Sequence, residues 1–143
     1  GLMHIGLYSS TARRDINAAR AYLAQQGRDF SVPEVRRLRA EFSARAPGDE
    51  LHNITQFSDF FSMSECRDLL FHVQEHQFSI PQIADFLRDG GFTFLGFETP
   101  ARTGYLRRFP GDRAATDLAN WTTFEAEIPA TFAQMYQFWI QKA

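Results

Sequence analysis

The sequence predicts an α/β chain, helix-rich overall, and three observations predict it. The run Leu2–Ser9 is short and apolar at most positions, the pattern of a strand buried on both faces as in a parallel sheet. Ser31-Val32-Pro33-Glu34 and Ser79-Ile80-Pro81-Gln82 each place a serine three residues before Glu or Gln, with proline in the first turn. That is the signature of a capped helix start. Phe92–Glu98, which follows Gly90-Gly91 and precedes Pro100, reads as a second strand. The chain has 143 residues, 44% hydrophobic and 22% charged, enough to bury a core without staples. No apolar run approaches the ~18–20 residues that would cross a bilayer, so no membrane partner is expected. The single cysteine, Cys66, excludes an internal disulfide framework and a multi-cysteine zinc site. A cytoplasmic setting is the expectation. The net charge of -2 gives no reason to expect nucleic acid.

The elements follow in order. Ser10 or Thr11 caps a helix from about Ala12 to Gln26, whose Ile16, Ala19 and Leu23 share a face before Gly27 ends it. The capped start at Ser31 opens a second helix, with Val35, Leu38 and Phe42 on one face and a stop before Pro47-Gly48. Leu51–Phe61 reads as a third helix carrying Ile54, Phe57 and Phe61 on one face, widened by Phe60. Ser62 and Glu65 offer a further capping box, and Arg67–Phe78 is ambiguous between helix end and extended loop. The start at Ser79 opens a helix to about Arg88 with Ile83, Phe86 and Leu87 inward. In the strand that follows, Phe92, Phe94 and Gly96 point one way and Thr93, Leu95 and Phe97 the other. Residues 99–113 are rich in Pro, Gly and Arg and read as loop. Arg113–Glu127 reads as helix, with Leu118, Trp121 and Phe124/Glu125 at helical spacing, and Pro129 opens another turn or two. Met135–Lys142 fits a helix and a strand equally well.

This order of elements resembles the C-terminal half of a class I S-adenosylmethionine-dependent methyltransferase. Gly1-Leu-Met-His-Ile-Gly-Leu-Tyr8 looks like that family's fifth strand, with Gly1 as the last glycine of the preceding turn. Arg67–His76 resembles the segment before the next helix in a bacterial branch often joined to tetratricopeptide repeats. Phe92–Phe97 looks like the sixth strand, and Met135–Lys142 like the seventh, antiparallel and inserted between the other two. The resemblance covers nearly the whole chain, 1–143. It implies a partial Rossmann-like methyltransferase sheet made of its last strands, with residues 11–61 as a helical insertion acting as a substrate lid. It implies S-adenosylmethionine as the cofactor of a parent protein that methylates a nucleophile of unknown identity. The family's glycine-rich turn and ribose-binding carboxylate are not found here: Gly90-Gly91 ends a helix, and Gly1 to Gly6 lies within one strand. The piece taken alone is therefore expected to bind no cofactor and to be inactive, its partner being the missing N-terminal half of the domain.

Five residues carry the candidate chemistry. Tyr8 and Ser9 close the first strand, and ligands of open α/β sheets bind beyond the carboxyl ends of strands. His72, Glu75 and His76 could face the same cleft, where a histidine or carboxylate could take a proton from an attacking amine or hydroxyl. Packing at a strand end competes for Tyr8, and a plain polar turn for the histidines. His72-Val73-Gln74-Glu75-His76 also matches H-x-x-E-H, the inverted zinc-peptidase pattern, but a helix start follows at once and no third ligand is visible, so no metal site is assigned. The eight arginines between Ala12 and Arg45, against four acidic residues, read as a solvated helix surface in preference to a site for an acidic partner. A non-enzymatic interaction module is the competing reading, because an uncovered sheet edge and apolar face favour self-association, for example as a dimer.

Overall fold

The computed structural model describes residues 1–71, 74–133 and 135–142. The chain divides into two compact units, one formed by Gly1–Arg13 with His76–Ala143, the other by Arg14–Glu75.

The first unit is mixed α/β. Its strands are β1 (Leu2–Ser9), β2 (Gln77–Phe78), β3 (Phe92–Phe97) and β4 (Met135–Lys142). Among the described residues they form one four-stranded sheet in the order β2-β1-β4-β3. The segment that fits two templates is a strand. β4 pairs antiparallel with β1, from Leu2↔Gln141 to Tyr8↔Met135, and antiparallel with β3 on its other edge. Backbone pairing on both sides settles what periodicity leaves open, since each buried N–H and C=O needs a partner. β2 lies parallel to β1 but matches only Tyr8 and Ser9.

Along β4 the buried Tyr136, Phe138 and Ile140 alternate with the exposed Gln137, Trp139 and Gln141. The strict alternation predicted for β3 is corrected by a bulge. Phe94 pairs with Ile140 and Gly96 with Trp139, which leaves Leu95 as the extra residue. Gly96 has φ 130°, a conformation open to glycine. Phe97 therefore turns to the same face as Phe94, its ring 4.9 Å away, and Leu95 points to solvent.

The inner face is covered by α5 (Ile80–Gly90), α6 (Arg102–Arg108) and α7 (Leu118–Glu127), as the shared core shows: Ile83, Leu87, Tyr105, Trp121 and Phe124 pack with Phe97, Tyr136 and Phe138. α5 starts on a complete capping box. Ser79 Oγ accepts from the Gln82 N–H at 3.5 Å, and Gln82 Oε1 accepts from the Ser79 N–H at 2.8 Å. It ends at Gly91, left-handed with φ 62°. Phe86, predicted inward, is 52% exposed and stacks on Phe92 at 5.7 Å. α6 lies inside the stretch predicted as loop. Its Tyr105 stacks on Trp121 at 3.8 Å, and its hydroxyl donates to Asp112 at 2.5 Å. α7 is shorter than predicted. It begins where Asp117 accepts from the N–H groups of Ala119 and Asn120.

The second unit is helical: α1 (Arg14–Gln25), α2 (Val32–Ser43), a short α3 (Glu50–Asn53) and α4 (Met63–Phe71), with two 3-10 turns between α3 and α4. The continuous third helix predicted over 51–61 is broken at Phe57, whose ψ of 126° is extended. Phe60 is consequently buried and Phe61 exposed, the reverse of the role given to Phe61. The core joins Ile16, Ala19 and Leu23 to Val35, Leu38 and Phe42, and to Ile54, Phe60 and Leu69. Ser31 caps α2 on the Glu34 N–H as predicted, but the Glu34 carboxylate turns to Arg28 and Arg37 instead of closing the box. The arginine run is largely consumed inside the unit. Arg28 also meets Glu41 at 2.7 Å, Arg45 meets Asp49 at 3.4 Å, and Arg39 Nε donates to the Phe60 carbonyl at 2.9 Å.

Phe97 is the hub of the first unit, with the rings of Phe94, Trp121, Phe132, Tyr136 and Phe138 around it at 4.6–5.8 Å. Phe97→Ala should lower the stability of this unit by about 3–5 kcal/mol, read by urea unfolding. A loss below about 1 kcal/mol would show that the bulge does not aim Phe97 into the core.

Candidate functional site

β1 and β3 are both antiparallel to β4 and so run parallel to each other. Their carboxyl ends, Tyr8-Ser9 and Phe97-Glu98-Thr99, come out at the same end of the sheet, where β4 begins at Met135. Two features meet there, a buried polar knot and an open cleft.

The knot is centred on Glu125, which α7 lowers onto the strand ends and which is only 5% exposed. Its carboxylate accepts from Ser9 Oγ at 2.9 Å and from the Tyr136 hydroxyl at 2.8 and 2.9 Å. Ser9 Oγ in turn accepts from the Ala12 N–H at 3.1 Å, which fixes the turn leaving β1. Burial pushes the Glu125 carboxyl above its ordinary range, and the hydroxyls of Tyr136, Ser9 and Thr11 pull it only part of the way back. Burial together with the facing carboxylate pushes the Tyr136 phenol up as well. Hydroxyl donors of this kind let the carboxylate be buried at tolerable cost.

The cleft lies over the outer side of the same strand ends. It has a volume of about 430 Å³ and is lined by Tyr8, Glu98, Thr99, Pro100, Phe132, Ala133, Met135 and Gln137. The Arg13 guanidinium lies 4.3 Å from the Tyr8 ring centroid and holds the ring in place. Glu98 stands 3.3 Å from His4 Nε2, and the His4 ring lies 4.8 Å from Trp139. The Thr99 hydroxyl donates to the Thr131 carbonyl at 3.2 Å and accepts from the Ala101 N–H, so it shapes the wall.

Of the five candidate residues, Tyr8 and Ser9 come together here in different roles. Tyr8 lines the cleft, while Ser9 is fully buried with its hydroxyl committed to Glu125. Glu75 belongs to the helical unit, where it pairs with Arg20 at 3.0 Å. Arg20 also reaches the Leu69 carbonyl at 2.8 Å, so this contact ties α1 to the end of α4. His76 is exposed and opens the segment that returns to the sheet unit, and His72 lies outside the described residues. Among the described residues no three of His, Cys, Asp or Glu are grouped to hold a metal ion. Cys66 is buried, and burial pushes its thiol up, away from reactivity.

Sequence reasoning missed Glu125 and Glu98. For Glu125 a signal is present: it sits four residues after Trp121 on the apolar side of α7, and a carboxylate there needs buried donors. Glu98 carries no comparable signal, because only the pairing of β3 with β4 brings it beside Tyr8. A scan against protein-family models finds no match to the chain, and a search of curated proteins finds none.

The raised Glu125 carboxyl makes a signed prediction. Below its ordinary value of 4.5 the group is protonated both folded and unfolded. As pH rises past that value the unfolded chain releases the proton while the folded chain keeps it, so this group's contribution falls until the buried carboxyl also titrates. The stability difference between wild type and Glu125→Gln should therefore decline with rising pH across that window, measured by urea unfolding at a series of pH values. A difference that is flat, or that grows with pH, would contradict the assignment.

Proposed function

We propose that the chain is the C-terminal, substrate-facing part of a class I S-adenosylmethionine-dependent methyltransferase, built on the last strands of a Rossmann-like sheet. One observation carries the reading: a closing strand, β4, lies between two parallel strands and antiparallel to both. The resemblance at residues 1–8, 67–76, 92–97 and 135–142 implies that same order. The parent transfers a methyl group to an acceptor nucleophile in the cytoplasm, and residues 11–61 serve as a lid that selects the acceptor. The chain's own residues do not fit the cofactor. The turn after β1 is Ser-Thr-Ala and the turn after β3 is Glu-Thr-Pro, so neither has the glycines that let a backbone close on the methionine moiety. The contribution of this chain is the acceptor side. Tyr8, Phe132 and Met135 offer an apolar wall that excludes water, and Glu98 and Gln137 offer polar atoms that orient a bound group.

A second reading, an interaction module that self-associates, is favoured by the free edge of β1. Beyond Tyr8 and Ser9 no described strand covers that edge, and Leu2 is 63% exposed.

One experiment separates the two readings. S-adenosylhomocysteine is titrated into the chain and into the gene product that contains it, with the mass of the chain followed by light scattering across concentration. Binding to the longer protein alone, with a monomeric chain, supports the methyltransferase reading. Binding to neither overturns it, and a concentration-dependent dimer in that case establishes the interaction module.

A further inference from the structure

The cleft beside Tyr8 has a chemistry of its own. Its walls are the rings of Tyr8, Phe132 and Pro100 and the thioether of Met135, and its polar groups include the Glu98 carboxylate and the Gln137 amide. Among the described residues no lysine or arginine lines it; Arg13 lies over the Tyr8 ring but is itself buried. Among the described lining residues the one charged side chain is therefore the Glu98 carboxylate, beside the Tyr8 ring that Arg13 contacts. Sulfur and aromatic surfaces accept apolar and cationic groups and are poor hosts for anions. A volume of about 430 Å³ lies within the range of small-molecule sites.

We propose that this cleft binds a small organic amine in its ammonium form, its apolar body against Tyr8, Phe132 and Met135 and its charged head on Glu98. Gln137 supplies a carbonyl acceptor to a second N–H of the head group. His4 Nε2 lies 3.3 Å from Glu98, so it is the neighbouring side chain that the ligand's head group displaces from the carboxylate. The binding step involves no cofactor, and it stands apart from the question of methyl transfer. Should the methyltransferase reading hold, the amine is the acceptor class.

The test is a titration of the chain with benzylamine, followed by amide chemical shifts, in parallel with benzyl alcohol and benzoate. Saturable shifts confined to Tyr8, Glu98, Thr99 and Met135–Gln137 are expected for the amine, with weaker binding of the alcohol and none of benzoate. Glu98→Gln, a change at a side chain 63% exposed, should weaken the amine about three- to fivefold, the size of one exposed ion-pair contact. It should leave the alcohol unchanged. Absence of saturable shifts with the amine, equal binding of benzoate, or an unchanged affinity in Glu98→Gln would each overturn the proposal. None of these outcomes bears on cofactor binding by the longer protein.

Discussion

A carboxylate that is 5% exposed organises the sheet unit. Glu125 joins α7, the end of β1 and the start of β4 by hydrogen bonds, through Ser9 and Tyr136. An unpaired buried charge costs several kcal/mol, so the helix can settle on the strands only where these hydroxyls arrive together. Apolar packing alone would permit α7 to slide along its groove, because dispersion contacts are individually weak and have no direction. The knot removes that freedom and sets the height of α7 over Phe97, Phe132 and Tyr136.

The consequences run outward from there. With β4 registered against β1, the bulge at Leu95 brings Phe97 into the aromatic core, where it meets Trp121 at 5.4 Å. Trp121 Nε1 donates to the Ala115 carbonyl at 2.9 Å, which secures the left-handed Ala115 in the loop before α7. Asp112 holds the rest of that loop. Burial pulls its carboxyl up, but the Tyr105 hydroxyl and the N–H groups of Ala115, Thr116 and Asp117 outweigh it and hold the group below its usual range. Thirteen of the fifteen phenylalanines of the sequence are thus divided between two aromatic cores, Phe61 and Phe86 being exposed, and the sheet's outer face keeps scattered apolar side chains such as Leu2 and Trp139.

Much of this architecture is legible in the amino-acid order. The starts of α2 and α5 are written in Ser-x-Pro-Glu and Ser-x-Pro-Gln, local patterns whose energetics do not depend on the remainder of the chain. The bounds of β1 are legible for the same reason, but its expected burial on both faces is not met: of Leu2–Ser9 only Ser9 is buried, because β1 pairs antiparallel with β4 in a sheet with one outer face open. What stays hidden depends on distant partners. β4 becomes a strand because β1 and β3 flank it, a fact absent from its own eight residues. α6 is masked by Gly104 and three arginines, and forms because Tyr105 finds Trp121. The site follows the same rule. Tyr8 is placed by the general logic of strand ends, whereas Glu98 and Glu125 enter only through tertiary contacts, and Glu75 serves Arg20 within the helical unit.

The central claim is that Glu125 is a buried carboxyl held by hydroxyl donors. It is tested most directly by following the side-chain carboxyl carbon of Glu125 by NMR across pH. The expected result is a midpoint above the ordinary 4.5, moving higher still in Tyr136→Phe, where one of the donors is lost. A midpoint at or below 4.5 in the wild-type chain would show that burial does not dominate at Glu125, and the account of a raised, buried carboxyl organising the sheet unit would have to be abandoned.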